Sequence, residues 1–319
     1  MSTSAQLPYA HGILHINLNT ADAEPVHAFY RDQLGLNLKM RSHEPKGDAT
    51  SMGIDGTTDS ETLFLYDARG PRVAAALEVV QWHEPPVVPR ALPAAPWHLG
   101  IAAVGYRMPG TPDELAERCG DTAAGEVPLP VAGRSRPGAL RVQDPVGVTV
   151  EIVPEAAADG TVGPGILSHL RINTADVDRS VAWYGSLGFT VIDGPVRHDL
   201  SAGSYGADGP VSVTTAAVGL PDDPTFTVEL NQWHTPEPVG PVPDRAHTQG
   251  LYRIALACED VNAAHAALAR DPSFGCGDPV WIPLPGTPLG GLTVMFLRDP
   301  DGVVVELVER PRSALAARG

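Results

Sequence analysis

The chain has 319 residues, of which 43% are hydrophobic, enough for about two packed domains of ordinary size. Its 38 acidic against 22 basic residues give a net charge of −16 and a pI near 5.0, a field that opposes binding to nucleic-acid backbones and anionic membranes. The opening MSTSAQLPYAHG lacks a basic stretch followed by an apolar one, and no apolar run reaches bilayer-spanning length. Cys119, Cys258 and Cys276 are scattered and odd in number, which speaks against disulfides or a thiolate metal site. The expectation is a cytoplasmic monomer or homodimer acting on a small molecule, with neither nucleic acid nor membrane as partner.

In chain order, ILHINLN alternates Leu14, Ile16 and Leu18 with His15, Asn17 and Asn19, the period of a strand whose two faces meet different surroundings. Asp22 precedes AEPVHAFYRDQLG, where Val26, Phe29, Tyr30 and Leu34 recur at helical spacing and Gly35 can end the helix. NLKMRS, TLFLYD and ALEVVQW follow as short strands. Beyond the Pro-rich HEPPVVPRALPAAPW, a second unit has WHLGIAAV as strand, PDELAERC as helix and LRVQDPVGVTVEIV as closing hairpin. EAAADGTVGPG then leads to a third unit, LSHLRINT, DVDRSVAWYGSLG, VSVTTAAV and FTVELNQW. After HTPEPVGPVPDRAHTQG, a fourth contains LYRIALAC, VNAAHAALAR and VMFLRDPDGVVVELV.

The second half repeats the first. One constant offset sets His15 on His169 and Tyr30 on Tyr184; LEVVQWHEP returns as VELNQWHTP, and DPVGVTVEIV as DPDGVVVELV. A repeat of this length marks a duplicated domain, residues 1–154 and 165–311, each of two βαβββ modules. Three features are specific: a strand His followed seven residues on by Asp (His15 and Asp22, His169 and Asp176), the FY…LG or WY…LG helix end, and the DPxG turn before a strand with Glu. With them the chain, over nearly its whole length, resembles the vicinal oxygen chelate superfamily. That group includes glyoxalase I, extradiol dioxygenases, epimerases and the bleomycin- and fosfomycin-resistance proteins. The resemblance implies an α+β fold of two tandem glyoxalase-like domains, each a curved mixed sheet forming a cup with helices outside.

It also implies one divalent metal ion, held by the first and last strands of paired modules. The first half offers His15, Glu78, His98 and Glu151. The second matches at His169, Glu229 and Glu306, but Arg253 stands at the place assigned to His98, and a guanidinium cannot ligate a cation. That half reads as a degenerate site, in which Arg253, with Arg171 on the face of His169, can neutralise the carboxylates. Adjacent pairing of modules is expected, by analogy with extradiol dioxygenases. Crossed pairing, first with fourth and second with third, would collect His98, Glu151, His169 and Glu229 and leave His15, Glu78 and Glu306 with Arg253. Two imidazoles and two carboxylates suit Fe, Mn, Ni, Co or Zn and leave positions for substrate oxygens.

Any one strand His or Glu is more simply a structural, hydrogen-bonded group; a whole inward-facing set is harder to explain so, because each buried polar group needs a partner. Alternation puts Glu78, Val80 and Trp82 on one face, so Trp82, with Asn17, is placed at the substrate and His83 on the opposite side. Tyr30 and Tyr184 read as packing groups. The chemistry implied by the resemblance is that of a glyoxalase- or epimerase-type lyase or isomerase, with an enediolate-like intermediate and Glu151 or Glu78 as general base. One alternative is an Fe2+ ring-cleaving dioxygenase using His15, His98 and Glu151; another is a noncatalytic drug- or metabolite-binding resistance protein. GxGxxG, P-loop, GxSxG and HExxH patterns are absent, which counts against nucleotide, serine-hydrolase and zincin chemistry.

Overall fold

The computed structural model describes residues 9–120, 123–126, 129–131, 134–136, 139–156, 161–284 and 290–313. The first module runs β1 (Ala10–Thr20), α1 (Ala23–Asp32), β2 (Asn37–Asp48), β3 (Thr57–Tyr66) and β4 (Ala76–Glu84). The second holds β5 (Gly100–Pro109), α2 (Pro112–Cys119), β6 (Ala123–Glu126), β7 (Leu129–Val131), β8 (Arg134–Arg136), β9 (Leu140–Gln143) and β10 (Thr149–Glu155). The third is β11 (Ile166–Asn173), α3 (Val177–Leu187), β12 (Thr190–Leu200), β13 (Val211–Leu220) and β14 (Asp223–Thr235). The fourth is β15 (Gly250–Cys258), α4 (Val261–Leu268), β16 (Val280–Leu284), β17 (Gly290–Arg298) and β18 (Val304–Glu309). Strand β12, exposed along most of its length, had no counterpart in the sequence reading; its TVIDGPVRHDL carries the turn residues of a loop, and pairing with β13 makes it a strand.

Each first strand hands over to its helix through a cap. Asp22, Asp176 and Asp260 accept hydrogen bonds from the backbone N–H groups of Glu24, Arg179 and Ala263, and Thr111 forms a reciprocal capping box with Glu114, which satisfies helix-terminal donors that have no partner inside the helix. The spacing from strand His to Asp is therefore the length of a strand end plus an N-cap. The twin glutamines of the QWH segments complete the same junctions, Gln81 accepting from the N–H of Ala23 and Gln232 from that of Val177.

The pairing of modules differs from the one expected. One eight-stranded sheet has the order β16-β17-β18-β15-β1-β4-β3-β2, and the other β12-β13-β14-β11-β5-β10-β9-β6. The first module thus shares a sheet with the fourth, and the second with the third. The seams are antiparallel, β1 against β15 and β5 against β11. Residues 1–154 and 165–311 are repeats in sequence, yet each supplies one wall to each cup. Adjacent and crossed pairing bury the same strands and satisfy the same ladders, so hydrophobic patterning does not separate them.

Related contacts lock the two sheets together. The Asp67 carboxylate accepts from the N–H of Leu167 on β11, and Asp223 accepts from the N–H of Ile13 on β1. Tyr30 of α1 donates to Asp144 of the second module at 3.3 Å, and Tyr184 of α3 to Asp299 of the fourth at 3.5 Å. Those aspartates also organise the DPxG turns, accepting from the N–H groups of Val146 and Val148, and of Asp301 and Val303. Burial pushes both carboxyls up to about 6 despite these bonds. Tyr30, Tyr106 and Tyr184 are fully buried within one large core that draws on all four modules, as expected for packing residues.

Candidate functional site: two cups with a guanidinium at the centre

Parallel ladders put polar residues side by side on the concave faces. In the first cup β1 runs beside β4 with Asn17 level with Glu78, and β15 beside β18 with Ala255 level with Glu306. Arg253 Nη2 donates to Glu78 Oε2 at 2.7 Å and Arg253 Nε to Glu306 Oε2 at 2.8 Å. His15 Nε2 stands 3.5 Å from Glu78 Oε2 and 3.4 Å from Glu306 Oε2. Asn17 adds a bond to Glu78 Oε2 at 3.1 Å. Burial works against the charged form of Glu306, but Arg253 and His15 outweigh it and hold its carboxyl at about 2. Trp82, Ile54, Tyr252 and Val304, with Met52 and Phe296 beside them, form a second apolar cluster. The Arg253 guanidinium reaches the Met52 sulfur at 3.9 Å.

The second cup uses the same rungs with a different cation. Arg171 lies level with Glu229 on the β11–β14 ladder, where the first cup has Asn17. Its Nε is 2.9 Å from both oxygens of Glu151, and its Nη2 2.9 Å from Oε2. His169 Nε2 is 3.2 Å from Glu151 Oε2, and its Nδ1 is 3.0 Å from the Ser168 hydroxyl. Burial again opposes ionisation, yet Arg171, His169 and Arg141 hold the Glu151 carboxyl well below the usual carboxylate range. The His169 ring needs a glycine opposite. A Cβ on Gly105, its cross-strand partner, would lie 1.9 Å from the ring.

Among the buried atoms of this cup without a hydrogen-bond partner in the described residues are Glu229 Oε2 and Asn231 Nδ2. Arg141 of β9 stands 3.8 Å from Glu151 Oε1 and stacks 5.2 Å over the Tyr205 ring, its Nε unbonded. It lines a cavity of about 290 Å3 together with Arg90, Gln143, Thr149, Ser204 and Tyr205, and with apolar Leu92, Ile101, Val148 and Leu251. Desolvation lowers the pKa of both Arg90 and Arg141, the mark of cations poorly supplied with counter-charge. A cavity of about 640 Å3 borders the first cup, lined by Met52, Ile54, Tyr252 and Phe296 and by polar Asp55, Asp244, Arg245, His247 and Arg298. Neither cavity is lined by the central His, Glu and Arg residues of its cup.

The four residues expected to share a metal are not brought together. His15 and Glu78 lie in one sheet and Glu151 in the other. His98 lies just before β5, with Nδ1 2.9 Å from the Leu99 carbonyl oxygen and 3.2 Å from Arg90 Nη2. Crossed pairing does bring His169 to Glu151, but without His98. The register explains why. Gly100 and Gly250 open their strands with φ of 97° and 96°, opposite Asn173 and Asn19, whose amides donate to the carbonyls of His98 and Thr248. Aligned on these glycines, His98 corresponds to Thr248 and Arg253 to Ala103. Positive φ is what requires glycine there, and it was the signal that the aromatic and His residues of WHLG obscured.

A divalent ion coordinated by two His and two Glu does not fit either centre. In the first cup the guanidinium already bridges the carboxylates; in the second the remaining ligand position is Ala103 and Glu151 is engaged by Arg171. Among the described residues, neither cup gathers three His, Cys, Asp or Glu ligand atoms within 4.8 Å. Trp82, assigned to the substrate, donates its indole N–H to Asn19 at 2.9 Å, as Trp233 does to Asn173 at 3.0 Å. Asn17 is fully buried against Glu78. Arg141 and Tyr205 carried no sequence signal beyond alternation in LRVQ.

Residues 166–307 match the model of the Glyoxalase/Bleomycin resistance protein/Dioxygenase superfamily. No curated protein matches the chain. Among solved structures, glyoxalase I from Zea mays is 19% identical, with a TM-score of 0.63 over 94% of this chain and 92% of that one. A dioxygenase-like protein from Bacillus subtilis is 13% identical, with a TM-score of 0.60 over 94% and 86%. At such identities the likeness is one of fold. No helix among the described residues is long and apolar enough to cross a membrane.

Proposed function

We propose that the second cup binds a small organic anion carrying a carboxylate or vicinal oxygens, a reading that starts from the match of residues 166–307 to the Glyoxalase/Bleomycin resistance protein/Dioxygenase superfamily. The observation that carries this reading is Arg141. It is a buried guanidinium at the wall of a cavity, loosely held by Glu151 and stacked on Tyr205. A carboxylate or vicinal-oxygen group would complete its hydrogen bonds in the planar, forked way that guanidinium favours, while Leu92, Ile101 and Leu251 take the apolar remainder. Elsewhere in the same cup, outside the cavity lining, Glu229 Oε2 and Asn231 Nδ2 offer one acceptor and one donor.

This is the binding-protein alternative, applied to an anion. Glu151 is a poor general base here, because its proton affinity is suppressed by Arg171 and His169. A metal-dependent lyase or isomerase, or an Fe2+ ring-cleaving dioxygenase, would need Arg171 to withdraw from Glu151. The test is thermal denaturation with panels of 2-oxo acids, 2-hydroxy acids and catechol carboxylates. A ligand at 100 times its Kd adds about 2.7 kcal/mol, and Arg141→Gln abolishes that gain. A gain that survives Arg141→Gln removes the ligand from this cup. Metal analysis of His169→Ala is the companion measurement: content equal to the parent supports the anion reading, and loss of a stoichiometric ion turns it toward the metal enzyme.

A further inference from the structure

Outside both cups, metal-ligating side chains from three adjacent strands meet on the face of the first sheet away from its cup. His43 of β2, Asp59 of β3 and His83 of β4 each bring one ligand atom, and these atoms lie within 4.8 Å of one another. His43 Nε2 is 2.8 Å from Asp59 Oδ1, and the two imidazole rings stand edge to face at 5.8 Å with planes 73° apart. His83 follows Trp82, which is bonded into the cup through Asn19, so strand alternation turns His83 to the other face. Arg41 is engaged by Glu61 and Glu24. Among the described residues no Lys or Arg pairs with Asp59, whose ion-pair contact is His43 alone.

The repeat supplies a comparison inside the molecule. Through the ladders, His43 opposite Glu61 corresponds to Arg197 opposite Thr214, and Asp59 opposite Glu84 to Ser212 opposite Thr235. The counterpart of His43, Asp59 and His83 is thus Arg197, Ser212 and His234. There Arg197 Nε donates to the Ser212 hydroxyl at 2.9 Å, and His234 Nε2 is 2.8 Å from the Thr214 hydroxyl. That triplet holds a fixed cation and a neutral hydroxyl where the first module has two possible ligands. One half of the chain carries a donor set and the other, on the same scaffold, does not.

We propose that His43, Asp59 and His83 form a binding site for a divalent transition ion of the Zn2+ type, independent of the anion site. Two imidazoles and a carboxylate are ligands that such ions accept, and three protein ligands leave a fourth position for water. Tetrahedral Zn2+ at about 2.0–2.1 Å from each donor places donors about 3.4 Å apart. The cluster reaches that by small rotations of exposed side chains, His43 being 52% and Asp59 33% accessible. The ion would clasp edge strand β2 to β4 across β3.

The experiment is titration of the full-length protein, stripped with chelator, using ZnCl2 by calorimetry and CoCl2 by absorbance, the latter for its tetrahedral d–d bands. The expected result is one ion per chain, with affinity reduced at least 100-fold and the Co2+ bands lost in the His43→Ala, His83→Ala double variant. His234→Ala, at the equivalent place in the third module, should titrate as the parent does. Both substituted side chains are exposed, and a urea unfolding curve for each variant keeps a lost ligand distinct from a lost fold. No Zn2+ uptake by the parent overturns the proposal, as does uptake unchanged in the double variant. Uptake abolished by His15→Ala or His169→Ala but not by the double variant would assign the ion to a cup instead.

Discussion

The two cups have the same carboxylate rungs and satisfy them differently. In the first, one guanidinium from the first strand of the fourth module bridges Glu78 and Glu306. In the second, the corresponding position is Ala103, and Arg171 from β11 saturates Glu151, while Glu229 keeps an unbonded oxygen. A second cation, Arg141, then stands at the cavity wall, at the rung where the first cup has Phe296. The comparison teaches that the chain retains positive charge against the buried carboxylates, since unpaired buried anions are costly, while the strand that delivers it is free to change. Where one cation serves both acids, an apolar cluster packs beside it; where it serves one, a second guanidinium stands at the wall of a cavity.

The largest test of that contrast is removal of each central cation. Arg171→Met leaves the fully buried Glu151 without its main partner and should cost about 3–5 kcal/mol in urea unfolding. Arg253→Met should cost somewhat less, since its two carboxylates border a slightly more accessible cup. The reverse order would mean that bridging two acids outweighs depth of burial.

Acid unfolding probes the same pairs. The Glu306 carboxyl is depressed from its usual 4.5 to about 2 in the folded protein. Its contribution, about 3 kcal/mol, is present above pH 4.5 and lost as pH falls from 4.5 toward 2. Glu151 acts in the same direction. Stability measured across that window should fall less steeply in Arg253→Met than in the parent; equal slopes would mean that Arg253 is not what depresses Glu306.

A smaller effect separates the seams. Gly105→Ala forces a Cβ into the His169 ring and should cost about 1–3 kcal/mol. Ala255→Gly, at the rung opposite His15, should cost about 0.5–1 kcal/mol. A tolerated Gly105→Ala would show that His169 has room to turn. Comparably small, Tyr30→Phe and Tyr184→Phe each remove a long hydrogen bond to a turn aspartate, and each should lower stability by about 0.5 kcal/mol, the low end for a hydrogen bond. Unequal losses would break the symmetry of the two turns.

The repeats made the modules legible; alternation around His15 and Glu78, and the family resemblance for Glu151, His169 and Glu229, placed each on a strand facing a cup. Module pairing was not legible, because it depends on which long connection crosses between sheets. The expected metal set failed with that pairing, which puts His15 and Glu78 in one sheet and Glu151 in the other, and the crossed set failed at His98, which sits two residues ahead of the strand-opening Gly100; only backbone conformation marks that glycine as the match of Gly250. The cluster of His43, Asp59 and His83 was equally hidden. It depends on the β2–β3–β4 register, which bulges between Glu44 and Gly47 and between Asp59 and Ser60 shift locally.

Crossed pairing makes the molecule an intertwined dimer written on a single polypeptide. Severed between residues 155 and 165, the halves would remain clasped through β1 with β15 and β5 with β11. Made alone, either half would present two naked strand edges, and such edges template pairing with further chains. The nearest cover for them would be another copy of the same half.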